Sequence, residues 1–382
     1  MHRLAILCTA TAIVAIGCAS ISSAFEDPVT WTPDALYYQA RVLELRGTDP
    51  EAAMEQTFEG PISAELRARD PNHTGNPAWV AYNEPFYERR LAVPLAGAAL
   101  YPLDGDRSLL DISLAGYVAA LLAVFGLLLL RFRLVIAATV TLATIFLPPL
   151  VEHSSYPLTD SWGLALETSA FAAAILTLDR GRMWLPLWIA TILLLAFTRD
   201  STWIPILAIG WCAWRLRSRD ALWLLGTGIA AALPALVLFR VPVRELLALL
   251  VNDSEIPSDA SWTFILSHYP GAALDLIHAN GGFIRDGQWY ATLYLVGGVA
   301  LLLALAVRGH YERSVTTRMM TAGAVLSLLY VFAAPVFSAF RLELVFVPMA
   351  AYGIALASHL GLERFTGAAR APQPLASPPS RQ

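Results

Sequence analysis

Long apolar runs separated by short polar turns dominate the chain. Ten of them approach the ~20 residues that a bilayer-spanning helix needs. They cover residues 4–24, 108–130, 134–152, 161–178, 183–197, 202–214, 221–239, 289–307, 319–337 and 342–360. The fifth and sixth are short enough to be tilted or partly re-entrant. The pattern predicts an all-α polytopic membrane protein of about ten transmembrane helices.

The turns between the runs carry arginine unevenly. One set holds Arg3, then Arg131 and Arg133, then Arg180 and Arg182, then Arg215, Arg217 and Arg219, then Arg308, Arg313 and Arg318. The alternate turns at 152–160, 198–201 and 337–341 hold one arginine or none. The positive-inside rule therefore predicts both termini on the cytoplasmic side. The first run, after M-H-R, also resembles a signal peptide, with A-S-I-S-S-A-F as a cleavage stretch. The topology closes with that run kept as a span.

Two outer-face loops are long, about 25–107 and about 240–288, and both contain amphipathic stretches. Long loops on one face are where function is expected, because connections default to short. Residues 1–360 read as one transmembrane domain. The Pro/Ser-rich tail, 361–382, reads as a disordered cytoplasmic segment.

Composition agrees. The 382 residues are 57% hydrophobic and 15% charged, with mean hydropathy +0.55. Soluble domains carry nearer ~25% charge. A net charge of −4 argues against a nucleic-acid partner. All 26 basic residues are arginine, which removes Schiff-base and P-loop lysine chemistry. Cys8, Cys18 and Cys212 lie in apolar runs and suggest neither disulfides nor zinc. His268 and His278 of the second loop lack a third ligand at metal spacing, so a divalent metal is only weakly supported.

The polar residues worth following sit at the outer face. In W-T-P-D-A-L-Y-Y-Q-A-R, Thr32 suits an N-cap, Pro33 the first turn and Asp34 the helix dipole. Asp34, Tyr38 and Arg41 recur at i, i+4 and i+7 and are expected to share a face. From Phe86, apolar residues at helical spacing predict a helix in the interface, with Glu88, Arg89 and Arg90 on its other side. Arg89 and Arg90 would contact lipid phosphate or simply snorkel to headgroups. Asp160 stands at the mouth of the fourth run, Arg199 and Asp200 at the next outer turn, and Arg341 and Glu343 at the start of the last run. Arg285 and Asp286 lie in the second loop. Glu167 is the main charge inside a run. Charges at such depths tend to face protein or water rather than lipid.

The order of these features resembles the GT-C superfamily of integral-membrane glycosyltransferases, in its bacterial, polyprenyl-phosphate-sugar-dependent form. The stretches that carry the resemblance are D-A-L-Y-Y (34–38), E-R-R-L-A-V-P-L-A (88–96), P-L-T-D-S (157–161), F-T-R-D-S (197–201) and F-R-L-E-L-V-F-V-P (340–348). The family often carries a second acid beside the first-loop aspartate; this chain has Ala35. The resemblance implies Asp34 as catalytic base, inversion at the sugar, and transfer from a polyprenyl-phosphate donor to a glycan, lipid or protein acceptor. It implies Tyr38, Arg41, Arg89, Arg90, Asp160, Arg199, Asp200, Arg285 and Arg341 as substrate-binding candidates. It also implies the bacterial inner membrane as the location. A transporter or flippase, or a non-catalytic membrane scaffold of the same fold, are the alternatives.

Overall fold

The computed structural model describes residues 2–22, 24, 29–239, 242–310, 314–335 and 341–365. The described residues form helices and turns with no strand. That is the open-ended solution a bilayer permits, because a helix satisfies its own backbone. The tail from 366, the turn at 336–340 and the Asp286 side chain lie outside the described residues.

In chain order the helices are α1 (His2–Ser20), α2 (Pro33–Leu45), α3 (Pro50–Phe58), α4 (Ala64–Arg69), α5 (Pro77–Asn83), α6 (Ala92–Asp104) and α7 (Ser108–Leu129). They continue with α8 (Leu134–Ile145), α9 (Pro148–Ser154), α10 (Asp160–Arg180), α11 (Leu185–Ala196) and α12 (Trp203–Leu216). Then come α13 (Arg219–Leu238), α14 (Val243–Val251), α15 (Trp262–Phe283), α16 (Trp289–Gly309), α17 (Val315–Ala333) and α18 (Val347–Phe365).

Seven described helical stretches are long and apolar enough to cross a membrane, or eight if α8 and α9 count as one. The chain is thus a multi-pass membrane protein. Three of the ten expected runs depart from simple crossings. α8 and α9 are bent by 61°, at the proline pair that opens α9, where a helix cannot continue its bonding. α11 and α12 have only 12 and 14 residues, about 18–21 Å of rise against a ~30 Å core.

The interfacial helix of the first loop begins at Ala92 rather than Phe86; Glu84–Phe86 is a single 3₁₀ turn. α6 is apolar, though less so than the span after it. Even so, it folds back, because Gly97 packs against the Leu109 side chain, and a straight helix would hold these positions about 18 Å apart. Gly105, at φ +55°, makes the reversal. In the second loop, α15 runs into α16 through a π-helical turn, Ile284–Gln288.

α10 is the central helix. Its Ala170, Ala173 and Ala174 are fully buried, and it packs closely on α7 and α11. α12 packs on α13 and α17, and α16 on α18. The arginine-bearing turns meet at one end. Arg131 reaches Asp179 (2.5 Å) and Thr316 (2.7 Å), and Arg182 reaches Asp220 (2.7 Å). Asp160, at the other end of α10, is about 30 Å away by helical rise.

The α16–α18 contact is the tightest test of this packing. A Cβ on Gly353 would sit 2.3 Å from the Gly298 carbonyl oxygen. Gly353→Ala is expected to cost about 1–3 kcal/mol through overpacking. A thermal melt in detergent should show a lower midpoint than wild type, and an unchanged midpoint would contradict so close a contact.

Candidate functional site

At the end of the bundle opposite the arginine-bearing turns lies a cavity of about 500 Å³. Its polar wall includes Asp34, Arg90, Arg199, Asp200 and Arg341. Leu246, Leu249 and Leu250 of α14 and Leu342 supply apolar lining. α14 is held over the cavity by α5. Tyr82 Oη donates to the Glu245 carbonyl (3.2 Å), and Trp79 Nε1 donates to the Ser254 carbonyl (3.0 Å). The two long loops therefore close one site between them.

Asp34 reaches this wall because another residue caps its helix. Thr32 Oγ1 accepts from the Ala35 amide at 3.3 Å. That leaves the Asp34 carboxylate free to turn inward. Its Oδ1 accepts from the Tyr87 hydroxyl at 2.5 Å, and its Oδ2 from Arg341 Nη1 at 2.5 Å. Burial alone would raise the Asp34 carboxyl, but the Arg341 guanidinium, the Tyr87 hydroxyl and Arg90 outweigh it and hold it below the usual carboxylate range. The carboxylate is therefore ionised at neutral pH and can only accept hydrogen bonds.

Arg341 is divided between two acids. Its Nε lies 2.9 Å from each oxygen of Asp160. Asp160 also takes Arg199 Nη1 as an ion-pair partner. Arg199 can lie that close because Gly163, one turn into α10, has no side chain. A Cβ there would stand 2.4 Å from Arg199 Cγ.

A second cluster adjoins the first. Arg89 and Arg90 clamp the two carboxylate oxygens of Asp200, the Arg90 contact at 3.0 Å. Arg90 also donates to Tyr38 Oη (2.8 Å), which lies 3.4 Å from Thr159 Oγ1. Four arginines thus face three aspartates, which leaves one positive charge over. That surplus suits an anion.

All five sequence stretches converge here, across separations of up to 307 residues. Asp34, Arg90, Arg199, Asp200 and Arg341 line the cavity. Tyr38, Asp160 and Arg89 stand behind its wall and hold the residues that do. Two candidates lie elsewhere. Arg41 pairs with Glu44 on its own helix, in a small crevice with Glu84 and Glu88. Arg41 therefore does not reach the cavity that Asp34 lines. Arg285 is exposed in the π-helical turn and does not line the cavity. His268 is also exposed, with its Nδ1 beside the Phe264 carbonyl and the Ser267 hydroxyl. Among the described residues no three metal-type side chains gather.

Tyr87 was not legible as a site residue. It stacks on Tyr37, with centroids 4.4 Å apart and planes within 3°, and it lies under Arg90. Its sequence signal, an aromatic next to charges near a membrane, is shared with any interfacial tyrosine. Comparison with protein-family models and with curated proteins finds no match for the chain.

The Asp34–Arg341 pair makes a pH prediction. A depressed carboxyl contributes stability that is fully present above its unfolded value, about 3.9, and is lost as pH falls through its lower folded value. The stability gap between wild type and Asp34→Asn should be flat from pH 7 to 5 and shrink below about pH 4. Thermal melts across that range would reveal it. A gap that shrank between pH 7 and 5 would argue against the depressed carboxyl.

Proposed function

We propose that this protein is a membrane glycosyltransferase of the GT-C type. It moves a sugar from a polyprenyl-phosphate donor to an acceptor hydroxyl on a glycan, lipid or protein. The observation that carries the reading is an ionised carboxylate, Asp34, facing a cavity lined by three arginines and by leucines. Phosphate suits the arginines. The prenyl chain suits the apolar wall and the surrounding membrane.

The chemistry needs few groups. The acceptor oxygen attacks the anomeric carbon, and the bond from that carbon to the phosphate oxygen breaks. The phosphate leaves with the electron pair, stabilised by Arg341, Arg199 and Arg90 as its charge grows. Asp34 accepts the hydroxyl proton. A phosphate leaving group needs no general acid, and in-line attack inverts the sugar. Asp160, Asp200 and Tyr87 hold the reacting groups in place.

The proposed setting is the bacterial inner membrane, with ten crossings, both termini cytoplasmic and the cavity on the outer face. The convergence of the arginine-bearing turns at the opposite end supports that orientation. One observation favours the alternative of a carrier or flippase. Glu167 is buried within α10, and its Oε1 has no hydrogen-bond partner among the described residues. Intramembrane acids of that kind often mark transport paths.

Asp34→Asn should reduce sugar transfer by at least about a hundredfold, the scale of one general base. The measurement is release of polyprenyl phosphate from a labelled donor in proteoliposomes, with folding checked by gel filtration. Full activity in that variant would remove the base assignment. Donor that crosses the bilayer uncleaved would favour the carrier instead. For topology, single cysteines at Asp106 and Arg180 in a cysteine-free background should differ. The first should react with an impermeant thiol reagent applied from outside, and the second should not. The reverse pattern would invert the orientation.

A further inference from the structure

We propose that Arg341 is an exchange switch: the phosphate of an incoming lipid displaces Asp34 from Arg341 and so unmasks the carboxylate only when donor is bound. This rests on the cavity being a lipid-phosphate site, as proposed above. It adds an order of events, with donor before acceptor, and a reason for it.

The geometry gives the Arg341 guanidinium two unlike ends. Its Nε is fixed at 2.9 Å from both oxygens of Asp160, whose side chain is 1% exposed and also tied to Arg199. Its Nη1 reaches Asp34. Both of these side chains line the cavity, at 19% and 23% exposure, whereas Asp160 does not line it. An anion entering the cavity can therefore compete for the Nη1 end, while the Nε end stays anchored and the guanidinium keeps its place. A partly exposed ion pair is worth about 1 kcal/mol or less, so a charge-assisted bond to phosphate can replace it.

Asp34 is not left loose by the exchange. Tyr87 still donates to its Oδ1, and Tyr87 is itself fixed by the Tyr37 stack. Losing the Arg341 hydrogen bond removes one of the contacts that hold the Asp34 carboxyl low, and the phosphate anion alongside raises it further, so the carboxylate becomes a better proton acceptor once phosphate is present. In the empty protein the base is neutralised by its own arginine. A hydroxyl that enters before the donor then meets a masked carboxylate.

The test is a double-mutant cycle on binding, with a short-chain polyprenyl monophosphate in nanodiscs as probe and the matching prenol as control. Asp34→Asn removes the competitor and should bind the phosphate probe roughly three- to tenfold tighter than wild type. In an Arg341→Gln background, where Asp160 keeps Arg199, the same substitution should change affinity little. Asp34→Ser, which also removes the charge, should repeat both results if Asp34→Asn folds poorly. Unchanged or weaker binding of the phosphate by the single variants would overturn the exchange. So would equal tightening in the Arg341→Gln background, because that is simple charge repulsion, or a tightening that the uncharged prenol shares. The outcome is separable from the transfer assay. If Asp34→Asn binds phosphate more tightly yet still transfers sugar, the exchange stands and the base assignment falls.

Discussion

The buried carboxylate of Asp160 is the constraint on which the site depends. It stands at the N-terminus of α10, 4% exposed, and takes two arginines, Arg199 and Arg341, from opposite parts of the chain. A buried ion cluster is weak evidence for stability, since desolvation offsets much of the attraction. Its value here is positional. Removing Asp160 would leave two arginines without their shared acid, at a cost of about 3–5 kcal/mol, so the three groups hold one arrangement. Through that arrangement the turn after α11 and the start of the last span are fixed against α10, and Arg341 is aimed at Asp34.

The rest of the cavity is built outward from this point. The Asp200 carboxylate repeats the device with Arg89 and Arg90, and it ties the first loop to the same turn that carries Arg199. A backbone bond from the Ala92 amide to the Phe197 carbonyl, 3.0 Å long, reinforces that tie. Among the described residues, the second loop contributes no charge to the cavity wall. It lays the apolar face of α14 across the opening and is held there by Trp79 and Tyr82. The cavity lining thus combines arginines with leucines.

Some readings from the sequence carried through and others did not, for identifiable reasons. Apolar run length marked the membrane-crossing helices, because the bilayer imposes one length on every span. It did not mark the 61° bend between α8 and α9, where Pro148 and Pro149 open the second helix, and it gave no sign that α6 folds back on α7. The helical spacing of Asp34 and Arg41 holds in α2, but Glu44, three residues on, takes Arg41 and keeps it from the cavity. Asp34 read equally well as a first-turn acid suited to the helix dipole. Thr32 caps the helix as its position suggested, and only the tertiary structure shows the Asp34 carboxylate turned to Arg341.

The sequence by itself determined the solvent this protein lives in, the number of long apolar helices to within a few, and the end of the bundle that gathers arginine. These follow from local composition, which the bilayer reads one segment at a time. It also marked nearly all the charged residues of the site, because charge at a membrane boundary is conspicuous. Only the tertiary structure decided which of them meet. Asp34 and Arg341 are 307 residues apart, and no periodicity reaches that far. It likewise decided that Asp160 and Arg89 stand behind the wall while Arg341 and Arg90 face the cavity. Such a division of roles comes from packing depth, which a side chain's identity does not encode.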